Sequence, residues 1–263
     1  MSIVENALRI AEPYMKENAL KVSDVVIGLH YVAVQLNDGR CHVAYMMHED
    51  LPAIGTPMPD FNVIGADAFK VATLAKTGTN DVQRSIGFAA LNAASPYYDD
   101  TAYNTEESEL DIPEGTVMGM IGFMPPKISM YKDKVSRILC FDRGIEHNGE
   151  QRNIPILPME KEKDLLPGCG VLISTGTAFL NSTIDDILSW CTSATQVEMN
   201  GWSVLFWPPA YEGTPVTHIN TARYTGTWEE LSGDLSRGGN IACITKHSKH
   251  IFYKFPEKEK QNE

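Results

Sequence analysis

Residues 171–190, VLISTGTAFLNSTIDDILSW, constrain the fold more than any other stretch of the chain. A short apolar run ends in Thr175-Gly176-Thr177, and Ser182-x-x-Asp185 and Thr183-x-x-Asp186 both fit the capping signature of a helix N-terminus. The pattern predicts a buried strand, a tight turn and a capped helix. Backbone N–H groups at a helix start favour negative charge, so the same turn also suits a bound anion. An ordinary capped helix and a ligand-binding turn are both open at this point.

Short apolar segments alternate with helical patterns throughout the second half of the chain. This alternation indicates a largely parallel sheet covered by helices, which makes the second half Rossmann-like. A further strand is an option at 241–245. The predicted strands are 116–123, 136–141, 170–174, 203–207 and 216–220, and the predicted helices are 129–134, 182–191 and 227–237.

The first hundred residues follow a different pattern. Val4, Leu8, Ala11 and Met15 form one apolar stripe of a predicted N-terminal helix, and Asp38-Gly39 between two apolar runs predicts a β-hairpin. This half is interpreted as a small α+β unit. Its predicted elements are a helix over 3–19, strands over 24–36 and 41–47, and helices over 66–76 and 81–94.

An acidic stretch at 96–115 separates the two patterns. It carries seven carboxylates and two prolines and has little aliphatic content. We interpret it as a solvated connector at a domain boundary. The predicted domains are therefore an α+β domain over 1–100 and an α/β domain over 108–256.

Composition excludes several classes of function. With 22 basic and 34 acidic residues the net charge is −12, which argues against nucleic-acid binding and against a basic membrane-surface helix. No apolar run approaches the roughly 18 residues that a membrane span needs, and the N-terminal segment lacks a signal-peptide pattern, so we expect a cytoplasmic protein. Five scattered cysteines form no zinc framework. The pattern identifies no cofactor.

A glycine and an acid have the spacing of a nucleotide site. Asp142 ends the second predicted strand of the α/β half, twenty positions after Gly122. The complete G-x-G-x-x-G pattern is absent and Pro125-Pro126 follows the first strand, which disfavours an NAD site. Arg143 is placed either to clamp a carboxylate or phosphate or to pair with a neighbouring acid.

Histidines and cysteines offer a metal-binding alternative. His42 and His48 would share one face of an extended strand, with Cys41 on the other face. Glu49-Asp50 and Pro52 indicate that the strand ends before His48. A solvated strand end is therefore favoured over a metal site.

Three segments carry a family resemblance. SIGFAALNAAS (85–95), GMIGFMPP (119–126) and above all ISTGTAFLNSTIDDIL (173–188) resemble the heavy-metal chelation family, in which an enolase-N-terminal-like domain precedes a Rossmann-like domain. The resemblance implies an interdomain cleft and a role around metal chelators of pterin-like, flavin-like or siderophore-like chemistry. The cleft residues that it implies are Asn92, Gly122, Asp142, Thr175, Gly176, Thr177, Asn181 and Thr183.

One departure from the family pattern bears on the ligand. Trp207-Pro208-Pro209 stands where such proteins tend to have a small Gly-Pro-Ser/Thr turn, which would narrow the cleft and remove a backbone donor. The leading hypothesis is a protein that binds a small anionic or heteroaromatic chelator. Asp142 is its candidate acid/base because burial in a closed cleft would raise its pKa.

Two other functions remain open alongside that hypothesis. One is a Rossmann-like S-adenosylmethionine-dependent methyltransferase, and the other is a non-enzymatic metal handler that uses His42, His48 and Cys41. Nucleic acid and a membrane are not expected as partners, and a homo-oligomer is left open.

Overall fold

The computed structural model describes residues 1–51, 62–105, 109–145, 150–151 and 153–256. Within these residues a three-stranded antiparallel sheet in the first half precedes an eight-stranded sheet in the second. The predicted α/β class is confirmed, with a small α+β unit followed by a mostly parallel, Rossmann-like sheet. Of the acidic stretch interpreted as a boundary, 106–108 lie outside the described residues.

The N-terminal helix α1, Ile3–Glu17, confirms the predicted apolar stripe, whose four residues are buried. Ser2 and Glu5 close its first turn as a capping box: the Glu5 amide donates to Ser2 Oγ over 3.1 Å, and the Ser2 amide donates to Glu5 Oε2 over 2.9 Å. Pro13 lies inside the helix without ending it.

The predicted hairpin forms around Gly39, whose φ of +88° is available to glycine without strain. It joins β2, Tyr31–Leu36, to β3, Cys41–Tyr45. The single strand predicted over 24–36 was wrong, because the chain turns at Gly28 and divides it into β1, Val22–Ile27, and β2. A Cβ at Gly28 would lie 2.9 Å from the carbonyl oxygen of Leu235, so this turn packs directly on the second half.

Helices cover one face of the small sheet. The predicted pair over 66–76 and 81–94 corresponds to α2, Ala68–Ala72, α3, Leu74–Thr77, and α4, Asp81–Ala93. Asn80 caps α4, since its side chain accepts from the amide of Gln83 over 3.0 Å. Helix α4 is buried along most of its length and packs on β2 and β3.

The large sheet has the strand order β11-β10-β9-β8-β4-β5-β7-β6 in the described part of the chain. The strands from β10 to β7 in this order pair in parallel, whereas β11 and β6 are antiparallel edge strands. The strands are β4 Val117–Ile121, β5 Arg137–Phe141, β6 Glu150–Gln151, β7 Ile154–Leu157, β8 Val171–Thr175, β9 Gln196–Asn200, β10 His218–Tyr224 and β11 Ser248–Lys254. The helices are α5 Pro125–Tyr131, α6 Glu162–Leu165, α7 Thr177–Leu180, α8 Ile184–Trp190, α9 Trp228–Ser236 and α10 Ile241–Thr245.

The strand predicted at 203–207 was wrong, because the strand that follows β8 is β9, Gln196–Asn200. The segment after β9 is buried, but its backbone does not pair with a strand. Its N–H and C=O groups bond instead to the side chains of Asn92 on α4 and Ser95 just after α4. Asn92 Nδ2 donates to the Val204 carbonyl over 2.9 Å, and the Phe206 amide donates to Asn92 Oδ1 over 3.0 Å. Ser95 Oγ donates to the Phe206 carbonyl over 2.5 Å.

The optional strand at 241–245 is helix α10, because the Asn240 side chain caps it by accepting from the Ala242 amide over 3.0 Å. The edge strand β11 follows it.

The two capping signatures after β8 do not form caps. Ser182 adopts a left-handed φ of +60°, and α8 begins after Thr183 without a side-chain cap. Asp185 instead accepts from the backbone amide of Ile3 over 3.2 Å and so ties α8 to the start of α1. A one-turn helix that the sequence did not predict, α7, directly follows Gly176.

One cluster of buried apolar side chains extends from α1 to β11 and joins both halves of the chain. Its largest members include Trp207, Phe88 and Phe179. Among the described residues, the helices are all too short or too polar to cross a bilayer.

Candidate functional site

A cavity of about 800 Å³, which we call the first cavity, opens at the edge of the large sheet where the parallel strands end. The ends of β4, β5, β8 and β9 line one side of it, and residues of β2, β3 and the segment after β3 line the other. Open α/β sheets bind ligands at this edge. Seven of the nine residues predicted for the site line the cavity: Gly122, Asp142, Arg143, Thr175, Gly176, Thr177 and Asn181.

Gly122 ends β4 in a conformation that favours glycine, with φ at +84°. A Cβ there would lie 2.8 Å from Cγ2 of Thr175 on the adjacent strand, so a side chain would collide with the cavity wall. The Gly122 amide donates to the Phe141 carbonyl over 2.7 Å. The ends of β4, β5 and β8 are thereby held close together.

Asp142 follows β5 directly, and backbone donors hold both of its carboxylate oxygens. The Phe123 amide donates to Oδ2 and the Gly144 amide donates to Oδ1, each over 2.7 Å. The carboxylate bridges the loops after β4 and β5 and is fixed at the cavity wall. Each oxygen keeps a further lone pair with which to accept a ligand hydroxyl.

The Thr175-Gly176-Thr177 turn is held against the segment that follows β9. A Cβ at Gly176 would lie 2.4 Å from the Val204 amide nitrogen, so only glycine allows this approach. The amide of Thr177 donates to Thr175 Oγ1 over 3.3 Å, and the two hydroxyl oxygens are 3.2 Å apart. Two adjacent hydroxyl groups therefore stand at one corner of the cavity.

Asn181 is oriented by Thr183. Its Oδ1 accepts from Thr183 Oγ1 over 2.7 Å and from the Thr183 amide over 3.2 Å. The amino group of Asn181 consequently has no partner among the described residues and is available to the cavity. Thr183 does not line the cavity in the described structure and acts through Asn181.

Arg143 pairs with an acid across the cavity mouth, which is one of the two roles predicted for it. Its Nη1 lies 3.2 Å from Oε2 of Glu49, and both side chains are more than a third exposed. A surface pair of this kind contributes about 0–1 kcal/mol, so an incoming carboxylate or phosphate can compete with Glu49.

Sequence reasoning missed two asparagines that line the cavity, Asn200 at the end of β9 and Asn220 on β10. Asn200 Nδ2 donates to Glu198 Oε1 over 2.8 Å. Asn220 is only 7% exposed, and its Oδ1 lies 2.5 Å from Nε2 of His250. The Asn200-Gly201 pair is a turn signal that indicates a strand end at Asn200. The predicted strand at 203–207 lies after this pair, so the signal was not used.

Two family models match the chain, and both carry the description "Putative heavy-metal chelation". One covers residues 9–95 and the other covers residues 105–253. The chain belongs to this heavy-metal chelation family. The resemblance stated from the sequence is confirmed.

Similarity to individual proteins extends over most of the chain. An uncharacterized protein of Methanocaldococcus jannaschii is 26% identical over 242 residues, which cover 84% of this chain and 85% of that protein. A crystal structure from Pyrococcus horikoshii has a TM-score of 0.77 at 24% identity and covers 95% of this chain and 100% of its own. Another from Desulfitobacterium hafniense has a TM-score of 0.71 at 14% identity, with coverage of 95% and 99%. At these identities the two structures show the fold alone.

Asn92, predicted from the family resemblance to bind ligand, has a structural role instead. It is fully buried, does not line the cavity in the described structure, and uses its amide to hold Val204 and Phe206. We therefore leave Asn92 out of the site that we propose for this family member.

The strand ends before His48, as predicted: β3 ends at Tyr45, and His48 is exposed. His42 lies inside β3. Its ring is fully buried between Trp202 and Tyr98, and Nε2 lies 2.9 Å from the Trp202 carbonyl oxygen. Burial is the main cause that lowers the pKa of His42 to about 4, and Arg223 lowers it further against the opposing Trp202 hydrogen bond. Burial also raises the pKa of the Cys41 thiol to about 11. The described part of the chain contains no group of three or more His, Cys, Asp or Glu side chains placed to hold a metal ion.

Proposed function

We propose that the protein binds a small anionic or heteroaromatic molecule of the metal-chelator type in the first cavity, between an α+β domain over 1–100 and an α/β domain over 108–256. The observation that carries this proposal is the convergence of seven predicted residues from three separate strand ends on one cavity. The family description supports the chelator class. In this proposal a heavy metal is cargo that the ligand carries.

The polar groups of the cavity fit a ligand that is rich in acceptors. Asn181 presents an amino group, and so does Asn220, because each has its Oδ1 already engaged. Arg143 and the hydroxyls of Thr175 and Thr177 add further donors. A buried site that offers donors of this kind favours oxygen anions and ring carbonyls, which many chelators carry.

Aromatic side chains on the opposite wall suit a flat ligand. Tyr31 and Tyr45 line the cavity with ring centroids 5.6 Å apart in an edge-to-face arrangement. Trp202 also lines the cavity, and its ring centroid is 5.9 Å from that of His42. A planar heterocycle gains dispersion and stacking energy against such rings. Asp142 is the candidate acid/base of the site and an acceptor for a ligand hydroxyl.

Thermal shift and calorimetry on the full chain test the proposal. The probes are lumazine, riboflavin and 2,3-dihydroxybenzoate, each alone and with equimolar ferric iron, and ferric iron alone. We expect at least one organic probe to raise the Tm and to bind with one-to-one stoichiometry. If no probe raises the Tm or gives heat of binding, the proposal is contradicted. Saturable heat with S-adenosylmethionine alone would favour the methyltransferase hypothesis instead.

A further inference from the structure

A charged pair is buried next to Asn200, which lines the first cavity. Nζ of Lys127, on α5, lies 2.6 Å from Oε1 of Glu198, on β9, and the two side chains are 10% and 1% exposed. Lysine and glutamate are almost never buried to this extent unless they are paired, because removing both charges from water is costly. Neither side chain lines the cavity in the described structure. A buried pair of this kind is weak evidence for stability and calls for another role.

Asn200 connects this pair to the cavity. Its Nδ2 donates over 2.8 Å to the same Glu198 oxygen that Lys127 contacts. A carboxylate paired with lysine can only accept, so it holds the amino end of the Asn200 amide. Oδ1 of Asn200 then has no partner among the described residues, and Asn200 lines the cavity.

On the neighbouring strand β10, Asn220 presents a hydrogen-bond donor to the cavity rather than an acceptor. Asn220 is the register partner of Asn200, but its Oδ1 contacts His250, so its amino group is the end left over. Asn200 therefore offers an acceptor beside the donor of Asn220. An acceptor next to a donor matches a ring edge in which an N–H stands beside a carbonyl, as in a lactam. A catecholate, which carries only oxygen anions, leaves the Asn200 oxygen unpaired.

We infer that the Lys127–Glu198 pair is a positioning element that fixes Asn200 as a hydrogen-bond acceptor, so that the first cavity selects a heterocycle with a lactam N–H. This inference rests on the proposed function, since it names the ligand class of the same cavity.

Matched ligands and a charge-free variant test the inference. Lumazine is compared with 1,3-dimethyllumazine, and riboflavin with 3-methylriboflavin, because each methylated compound lacks the lactam N–H. The variant is the double substitution Lys127→Met with Glu198→Leu, which replaces the pair with apolar side chains of similar volume. Such replacements often leave stability unchanged or raise it, so a loss of ligand selection at an unchanged Tm separates positioning from a structural role.

We expect the wild-type protein to bind the parent compound at least about tenfold more tightly than its methylated partner, and the double variant to bind both alike. Should the double variant fail to fold, Asn200→Ala gives the same comparison, with the same expected loss of preference. Equal wild-type binding of parent and methylated compounds overturns the inference, and so does a preference that survives in the variant. Binding of 2,3-dihydroxybenzoate alone also overturns it but leaves the proposed function standing, whereas a silent response to every probe contradicts both.

Discussion

Two cavities of nearly equal size lie at opposite edges of the large sheet. The first, of about 800 Å³, stands where the parallel strands end, and the second, of about 830 Å³, stands where β9 and β10 begin. Prolines and aromatic rings dominate the second cavity, in which the centroids of Tyr253 and Phe255 are 4.8 Å apart and those of Tyr103 and Tyr253 are 5.2 Å apart. Its rings pack on one another.

Hydrogen-bonding capacity distinguishes the two cavities. In the second, the hydroxyls of Thr195, Thr214 and Thr217 each donate to a backbone carbonyl. In the first, Asn181 and Asn220 have amino groups without a partner among the described residues. These positioned and unpaired polar groups, rather than volume, are the reason why we propose the first cavity as the ligand site.

The largest expected effect concerns the charged pair next to Asn200. Lys127→Ala leaves the Glu198 carboxylate buried without its partner, and Oε2 of Glu198 already lacks one in the described structure. We expect the free energy of unfolding to fall by about 3–5 kcal/mol, measured by urea denaturation. Lys254→Ala at the rim of the second cavity is the control, with an expected change within about 0.5 kcal/mol. A loss below about 1 kcal/mol for Lys127→Ala would show that the pair is solvated.

The next effect concerns pH, since a buried histidine stands near each cavity. Burial is the largest cause that lowers the pKa of both His42 and His218 from 6.5 to about 4. Between pH 6.5 and pH 4 the unfolded chain takes up protons that the folded chain does not, so stability is present above pH 6.5 and is lost as the pH falls. Each histidine accounts for up to about 3 kcal/mol of that loss.

Glutamine substitutions measure the two histidines separately. Both substitutions replace a titratable ring with a neutral amide. His42→Gln keeps a donor for the Trp202 carbonyl, and His218→Gln keeps a partner for Thr217. Each variant should show a flatter dependence of unfolding free energy on pH between 6.5 and 4 than the wild-type protein. A variant whose curve runs parallel to the wild-type curve would mean that the pKa of its histidine is the same in the folded and the unfolded chain.

A smaller effect is expected at Asn92, which anchors the segment between the two cavities. Asn92→Ala removes the partner of both the Val204 carbonyl and the Phe206 amide, which are buried. We expect a loss of about 1–3 kcal/mol in the free energy of unfolding. Asn181→Ala is the control for side-chain type: it removes only the part-buried hydrogen bonds from Thr183 to Oδ1, so we expect a smaller loss, of about 0.5–1 kcal/mol. Equal losses for both would assign Asn181 a structural role.

Much of the first cavity could be predicted because its residues follow strand ends in sequence. Gly122, Asp142 and Thr175-Gly176-Thr177 each come directly after a short apolar run, and parallel strands bring their ends to one edge. The fold class followed from the same alternation. These predictions needed no knowledge of which segments meet across the core.

The predictions that failed depend on contacts between distant segments. Val204–Trp207 is more apolar than Gln196–Asn200, which contains Glu198, so local pattern favoured the wrong strand. Asn92 pairs with that stretch more than a hundred residues away, and Lys127 makes Glu198 tolerable inside a strand. The strand error in turn concealed Asn200. Pairing of this kind cannot be recovered from hydrophobic periodicity.

The smallest expected effect compares the same substitution in both cavities. Thr177→Val removes a hydroxyl from the first cavity, and Thr195→Val removes one from the second. In each case the valine side chain is similar in size to the threonine that it replaces. We expect Thr177→Val and Asn181→Ala each to weaken binding of the responding probe by about 0.5–1.5 kcal/mol, because each removes one hydrogen-bond partner of the ligand. Thr195→Val should bind that probe like the wild-type protein. Isothermal titration calorimetry on all four proteins decides the matter: a loss confined to Thr195→Val would move the ligand site to the second cavity.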